Sequence, residues 1–199
     1  GNSVLQPEQS ESWEIGLSQT INNDLLDLTA VYFDSRLKDE IFTTFPAPDF
    51  IASPANRATL SRQKGVEIKV TARLSQDFVL DAAYTHVSAK ESGIEEVRRP
   101  NHIASGALAW TFPKDSGHAI LIIRYNGSTD DLAFTNPSFI PVRERLANYV
   151  LINFNTEIKL NGRLRLFGRI ENLLNDEYEQ VFSFVSPGRT ALVGLQMQF

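Results

Sequence analysis

Chemistry needs groups that hold a charge, a metal or a nucleophile, and this chain offers few in useful arrangements. His86, His102 and His118 have no metal-ligand spacing, and there is no cysteine to complete a site. Asp130-Asp131 places two carboxylates side by side, against the roughly six to eight oxygens that calcium takes. No Gly-x-Ser-x-Gly, phosphate loop or His-Glu-x-x-His is present. We therefore expect neither an enzyme nor a bound metal or cofactor.

Two other groups of residues remain. Glu157, Lys159, Arg163, Arg165, Arg169 and Glu171 alternate with apolar neighbours, so a strand would put them in one polar row. Such a row is a lining for something polar, or simply a solvated wall. Phe45, Phe50, Phe134, Phe139, Phe182 and Phe184 fall in stretches that read as loops. Loop aromatics are candidate ligand contacts, or small clusters that fold the loops down.

The elements that carry these residues read as strands. Period-two alternation marks about nine, at residues 10–19, 25–42, 58–74, 78–88, 101–112, 118–126, 146–160, 163–171 and 190–199. Residues 146–160 show it best, with Val150, Ile152, Phe154 and Ile158 opposite Asn153, Asn155, Glu157 and Lys159. Asn161-Gly162 is a two-residue hairpin signal. No helix of useful length is expected. Connections alternate between short (21–24, 75–77, 113–117, 161–162) and longer (43–57, 89–99, 127–145, 180–188). Such alternation describes an up-and-down antiparallel sheet with one short-turned rim and one long-looped rim.

Composition narrows the setting. Hydrophobic residues make up 42% and charged residues 22% of 199, which fits neither a disordered chain nor a helical membrane protein. A net charge of -5 argues against nucleic acid as a partner. Alternating strands allow two settings. In a soluble β-sandwich the apolar rows pack inward; in a membrane barrel they face lipid. Strand length, loop asymmetry and the placing of Trp13, Tyr32, Tyr84, Trp110, Tyr149 and Tyr178 near strand ends, as in aromatic girdles, favour the barrel.

Motifs at both ends point the same way. Residues 1–10 (Gly-Asn-Ser-Val-Leu-Gln-Pro-Glu-Gln-Ser), followed by Trp13-Glu14-Ile15-Gly16, resemble the Asn-Pro-x-Leu-x-Pro-Glu stretch and following strand of TonB-dependent outer-membrane receptors. Ser3 departs from that pattern, which has proline there. Ile170-Glu171-Asn172-Leu173-Leu174-Asn175-Asp176-Glu177-Tyr178 is similar to the family's Val-x-Asn-Leu-x-Asp-x-x-Tyr stretch, and Pro187-Gly188-Arg189 and Phe199 complete it.

The resemblance implies that residues 1–199 are the C-terminal part of a transmembrane β-barrel of about 22 strands in the bacterial outer membrane. The plug, the TonB box and the earlier strands would then lie outside this sequence. The short connections become periplasmic turns and the longer ones extracellular loops. The implied function is TonB-coupled import of a large scarce nutrient, a ferric siderophore, cobalamin or similar. The implied partners are outer-membrane lipid, TonB through the plug, the nutrient, and the barrel assembly machinery, for which Phe199 would be the signal. The charged row from Glu157 to Glu171 would line the lumen. A passive porin-like channel and a soluble β-sandwich binding module are the competing readings.

Overall fold

The computed structural model describes residues 2–22 and 25–198. One antiparallel sheet of ten strands carries the chain. Nine of them run in sequence order across it. These are β1 (Gln9–Ile21), β2 (Leu26–Lys38), β3 (Ser61–Arg73), β4 (Phe78–Glu91), β5 (His102–Thr111), β6 (Gly117–Asn126), β7 (Tyr149–Lys159), β8 (Leu164–Glu171) and β9 (Thr190–Met197). The tenth is the two-residue strand Ile94–Glu95, which extends β4 at one end. This is the up-and-down order that the alternating connections predict. The only helical element among the described residues is a single 3-10 turn, Pro113–Asp115, inside a short connection.

Register puts the apolar rows of all nine strands on one face. Ile15 pairs with Tyr32, Tyr32 with Val66, and Val66 with His86. Further along, Leu108 pairs with Leu121, Leu121 with Phe154, and Ile170 with Ala191. A one-residue slip in any strand would turn its greasy row to the polar side. No second sheet covers this face among the described residues. The remaining strands form three two-stranded hairpins in the long connections. Ile15, Leu17, Ile68, Ile123, Val193, Leu195 and Met197 are therefore exposed. A contiguous apolar face of this size marks a surface that something apolar covers, and no sandwich partner for it lies among the described residues.

Aromatic rings cap both ends of the apolar face. Trp13 packs on Tyr32 with centroids 5.3 Å apart at the long-loop end. Trp110 stacks on Phe78 at 5.7 Å and meets the edge of Phe112 at 4.5 Å at the short-turn end. Tyr149 does not join a girdle. It pairs with Asn126, which puts it on the polar face, where it is buried, packed at a tilt against Tyr178 with centroids 4.4 Å apart and bonded to Gln180. Its strand-end position suggested a girdle; its parity decides otherwise.

Several boundaries differ from the sequence reading; β3 begins at Ser61 and β7 at Tyr149, each three residues later than expected. The second strand stops at Lys38 because Asp39 adopts φ 55, which ends the ladder. Residues 41–44 then pair with residues 53–56 in a separate hairpin. The long connection before β7 also contains a hairpin, Thr129–Phe134 with Pro141–Leu146. At Asn161-Gly162 the expected two-residue turn is replaced by a longer one. Oδ1 of Asn161 accepts the amides of Arg163 (2.9 Å) and Leu164 (3.0 Å) and closes the turn with its side chain.

On the polar face the ring of Phe167 lies over its cross-strand partner Gly194, in the space a Cβ would need. Gly194→Ala should displace that ring and cost about 1–3 kcal/mol through overpacking. The thermal unfolding midpoint, followed by circular dichroism, should fall. An unchanged midpoint would show that the ring moves aside freely.

Candidate functional site

The polar face holds the charged row predicted from sequence. Glu157, Lys159, Arg165, Arg169 and Glu171 lie in β7 and β8 and face the same side; Arg163 immediately precedes β8. They form local pairs rather than one centre. Arg165 Nη1 donates to Glu157 Oε1 at 3.1 Å, and Arg169 pairs with Glu171. Lys159 Nζ reaches Asp115 Oδ2 at 2.6 Å in the neighbouring short turn and holds that carboxyl below its usual range. Pairs this exposed contribute little stability.

A denser arrangement lies at the long-loop rim. Asp131, in the hairpin between β6 and β7, is fully buried. Its Oδ1 accepts Arg98 Nε at 2.7 Å and the amide of Leu132 at 2.8 Å, and its Oδ2 accepts the amide of Phe182 at 2.7 Å. Arg98 lies in the connection before β5 and Phe182 in the connection before β9. One carboxylate thus ties three connections together. Its neighbour Asp130 accepts Arg143 Nη1 at 2.8 Å and Arg145 Nη1 at 2.9 Å, while its carbonyl accepts the amide of Arg98 at 2.7 Å. Arg143 also reaches the carbonyl of Glu95 at 3.0 Å. Burial pushes the Asp131 carboxyl up, but the Phe182 amide, the Arg98 guanidinium and the Leu132 amide outweigh it and hold the group below the usual carboxylate range. Asp130 is held low by the hydrogen bonds from Arg143 and Arg145.

The end motifs have structural jobs in this rim. Asn172 is buried at φ 49. It donates through Nδ2 to the carbonyls of Asp176 (2.9 Å) and Pro187 (3.4 Å), accepts the Asp176 amide on Oδ1 (2.9 Å), and its own amide donates to Asn153 Oδ1 (2.9 Å). Asn175 Oδ1 accepts the amide of Arg189 at 2.9 Å, and a side chain on Gly188 would crowd that oxygen. The Asn-Leu and Pro-Gly-Arg stretches therefore close one loop together. Near the other end, Glu8 Oε1 accepts the amide of Ile41 at 2.7 Å, and Asn56 exchanges hydrogen bonds with the backbone of Gln6. Asn172→Ala removes the side-chain bonds and a residue suited to φ above zero. We expect faster proteolytic nicking between residues 172 and 189 while the sheet stays folded; equal nicking in the variant and the parent would refute this role.

The loop phenylalanines lie on three separate hairpins. Phe45 and Phe50 sit beyond the strand Ile41–Thr44, Phe134 and Phe139 at the tip of the hairpin before β7, and Phe182 and Phe184 on the hairpin before β9. All but Phe182 are more than half exposed. The rings of His86 and His102 lie tilted with centroids 4.7 Å apart on the apolar side, away from His118, and no metal-binding cluster exists among the described residues. Phe199 lies outside the described residues.

Sequence reasoning missed the Asp130-Asp131 clasp. It weighed those carboxylates as ligands for a free cation, whereas the cations are the protein's own arginines. The pairing shows only once the hairpin forms: Asp130 pairs with Arg145 and Leu132 with Arg143 across residues that were read as a plain loop.

Comparison with known proteins gives a consistent picture. A family model described as TonB dependent receptor-like, beta-barrel matches residues 1–173. The chain is 26% identical over 187 residues to the vitamin B12 transporter BtuB of Photobacterium profundum, covering 89% of this chain and 28% of that protein. It superposes on the pyoverdine outer membrane receptor FpvA from Pseudomonas aeruginosa PAO1 with a TM-score of 0.82 at 17% identity, over 100% of this chain and 31% of that one. The FrpB iron transporter from Neisseria meningitidis gives 0.78 at 14% identity, over 100% and 32%. Identities this low speak to the fold. The chain spans less than a third of the length of each of these relatives.

Proposed function

The chain belongs to the TonB-dependent receptor β-barrel family, and from that premise we propose that it is the C-terminal part of the wall of an outer-membrane active transporter. The relatives named above are transporters and receptors, and none is an enzyme. In our reading residues 1–199 supply consecutive barrel strands, and the rest of the receptor supplies the other strands, the plug and the TonB box. The intact receptor binds a large scarce nutrient at the long-loop rim, a ferric siderophore, cobalamin or similar. TonB then pulls on the plug and the nutrient passes inward.

The observation that carries this reading is the two-faced sheet. A mainly apolar face with aromatic ends opposes a face of paired charges, which is what a wall between lipid and a polar lumen needs. In this reading Glu157, Lys159, Arg163, Arg165, Arg169 and Glu171 face the plug and the transit path. Phe45, Phe50, Phe134, Phe139, Phe182 and Phe184 are the loop residues available to the nutrient, and Phe199 is presented to the barrel assembly machinery.

The test is uptake of labelled cobalamin and a panel of ferric siderophores by cells carrying the intact receptor, with and without TonB. One member of the panel should be taken up only when TonB is present. Uptake that persists without TonB would identify a passive channel instead.

A further inference from the structure

The chain contains two Asn-Gly dipeptides, Asn126-Gly127 and Asn161-Gly162. Such a pair has a chemistry of its own. The main-chain nitrogen of the glycine can attack the side-chain carbonyl carbon of the asparagine, because no Cβ on the glycine stands in the way. The fold sets the two dipeptides in opposite situations. Asn126-Gly127 is locked. Asn126 ends β6, with its backbone in register with Ile103 on one side and Tyr149 on the other. Its Nδ2 donates to the Tyr149 hydroxyl, which ties the carboxamide to the neighbouring strand. The Gly127 amide donates to the carbonyl of His102 at 2.8 Å, and Gly127 is buried. The nucleophile is occupied and dry, and the electrophile is held elsewhere.

Asn161-Gly162 is open. Both residues are exposed in the turn between β7 and β8, and a Cβ on Gly162 would meet nothing within 4 Å. Among the described residues no group accepts the Gly162 amide, so its proton is open to hydroxide. The Asn161 carboxamide is folded over the turn, with Oδ1 accepting the Arg163 amide at 2.9 Å and the Leu164 amide at 3.0 Å. Those two donors polarise Cγ. They also point at the oxygen that becomes negative when that carbon is attacked, as donors in an oxyanion hole do. Exposed Arg163 adds positive charge beside it.

We infer that Asn161 is a site of spontaneous modification, converting to isoaspartate and aspartate through a succinimide shared with Gly162. The deprotonated Gly162 nitrogen bonds to Asn161 Cγ, and the bond from Cγ to Nδ2 breaks. The departing nitrogen takes one proton from water and leaves as ammonia. Water then opens the five-membered imide. Attack at Cγ gives aspartate; attack at the main-chain carbonyl gives isoaspartate, in which the chain runs through the former side chain. The sum consumes one water and releases one ammonia, with nothing oxidised or reduced. Aspartate keeps an oxygen that can accept the two amides. Isoaspartate moves that carbonyl into the main chain and lengthens the backbone by a methylene, so the turn loses the bonds that closed it. The joint between β7 and β8 therefore ages, one molecule at a time. The inference needs only the geometry of this turn and does not depend on the transporter reading.

The experiment warms the intact receptor in detergent at mildly alkaline pH. Peptides are followed by mass spectrometry, and isoaspartate by transfer of a labelled methyl group with protein isoaspartyl methyltransferase. In the folded receptor the peptide holding Asn161 should convert about tenfold faster than the peptide holding Asn126, or more. In receptor unfolded with urea at the same pH and temperature, that gap should close. Gly162→Ala should remove most of the conversion at Asn161. The variant keeps the turn, because the new Cβ has room and Gly162 lies outside the left-handed region. Equal conversion at the two asparagines in the folded receptor, faster conversion at Asn126, a gap that survives unfolding, or an undiminished rate in Gly162→Ala would overturn the inference. None of these outcomes bears on transport, which the uptake assay tests separately.

Discussion

Ile123→Arg in the intact receptor is expected to cost the folded barrel about 2–4 kcal/mol, whereas Ile122→Arg is expected to cost less than about 1 kcal/mol. The two residues are neighbours in β6 and differ only in parity. Ile123 pairs with Ile152 and Gly106 on the apolar side and is 42% exposed there. An arginine at that height must bring its charge into hydrocarbon or bend away from it. Ile122 pairs with Asn153 and Ala107 on the polar side, in the same row as Arg124. A guanidinium there stays hydrated. The measurement is the folded fraction in outer-membrane preparations, read from the heat-dependent shift in gel mobility, with urea midpoints for both variants. Equal losses for the two would mean that the faces are wrongly assigned.

Asp131→Ala should free the three connections at the long-loop rim, with a local cost of about 2–4 kcal/mol. The change leaves two amides and one guanidinium without their shared acceptor, and the Phe182 and Leu132 amides lose their bonds to its carboxylate. Hydrogen exchange at those amides should accelerate while the amides of β6 and β7 stay protected. Asp131→Asn keeps one acceptor oxygen and loses the charge, so it should fall between parent and alanine. Loss of protection throughout the sheet would instead make Asp131 a part of the wall's stability.

The same carboxylate sets a pH dependence. Its folded value lies below the ordinary one of about 3.9, so its contribution is complete above that value. It is lost only as pH falls through the lower folded value. Exchange at the Phe182 amide, corrected for intrinsic rates, should thus be flat from neutral pH down to about 5 and rise only below about 4. An opening centred near pH 6 would contradict this assignment.

The wall was legible because alternation and parity are properties of the chain itself. Val150, Ile152, Phe154 and Ile158 announce their face whatever surrounds them, and the rows of β1 to β9 follow. The rim was not legible to the same degree. Its hairpins are held by single side chains acting over long sequence distances: Asp131 to Arg98 and Phe182, Asn56 to Gln6, Glu8 to Ile41. Nothing local in residues 127–145 says that a carboxylate there meets an amide some fifty residues on. Tyr149 shows the converse limit, since closeness to a strand end could not tell a girdle ring from a loop anchor. The motifs were recognisable as strings, but the reason for them, two asparagines closing one loop with Gly188 and Arg189, is visible only in three dimensions.

The placing of Asp130, Asp131, Arg143 and Arg145 has a practical consequence. All four sit near the foot of their hairpin, and its crown, residues 135–140, lies beyond them with Phe139 and Ile140 exposed at 59% and 64%. Fastening and presentation are thus handled by different residues. The crown is therefore a position where foreign peptide can be inserted while the foot keeps the hairpin in register.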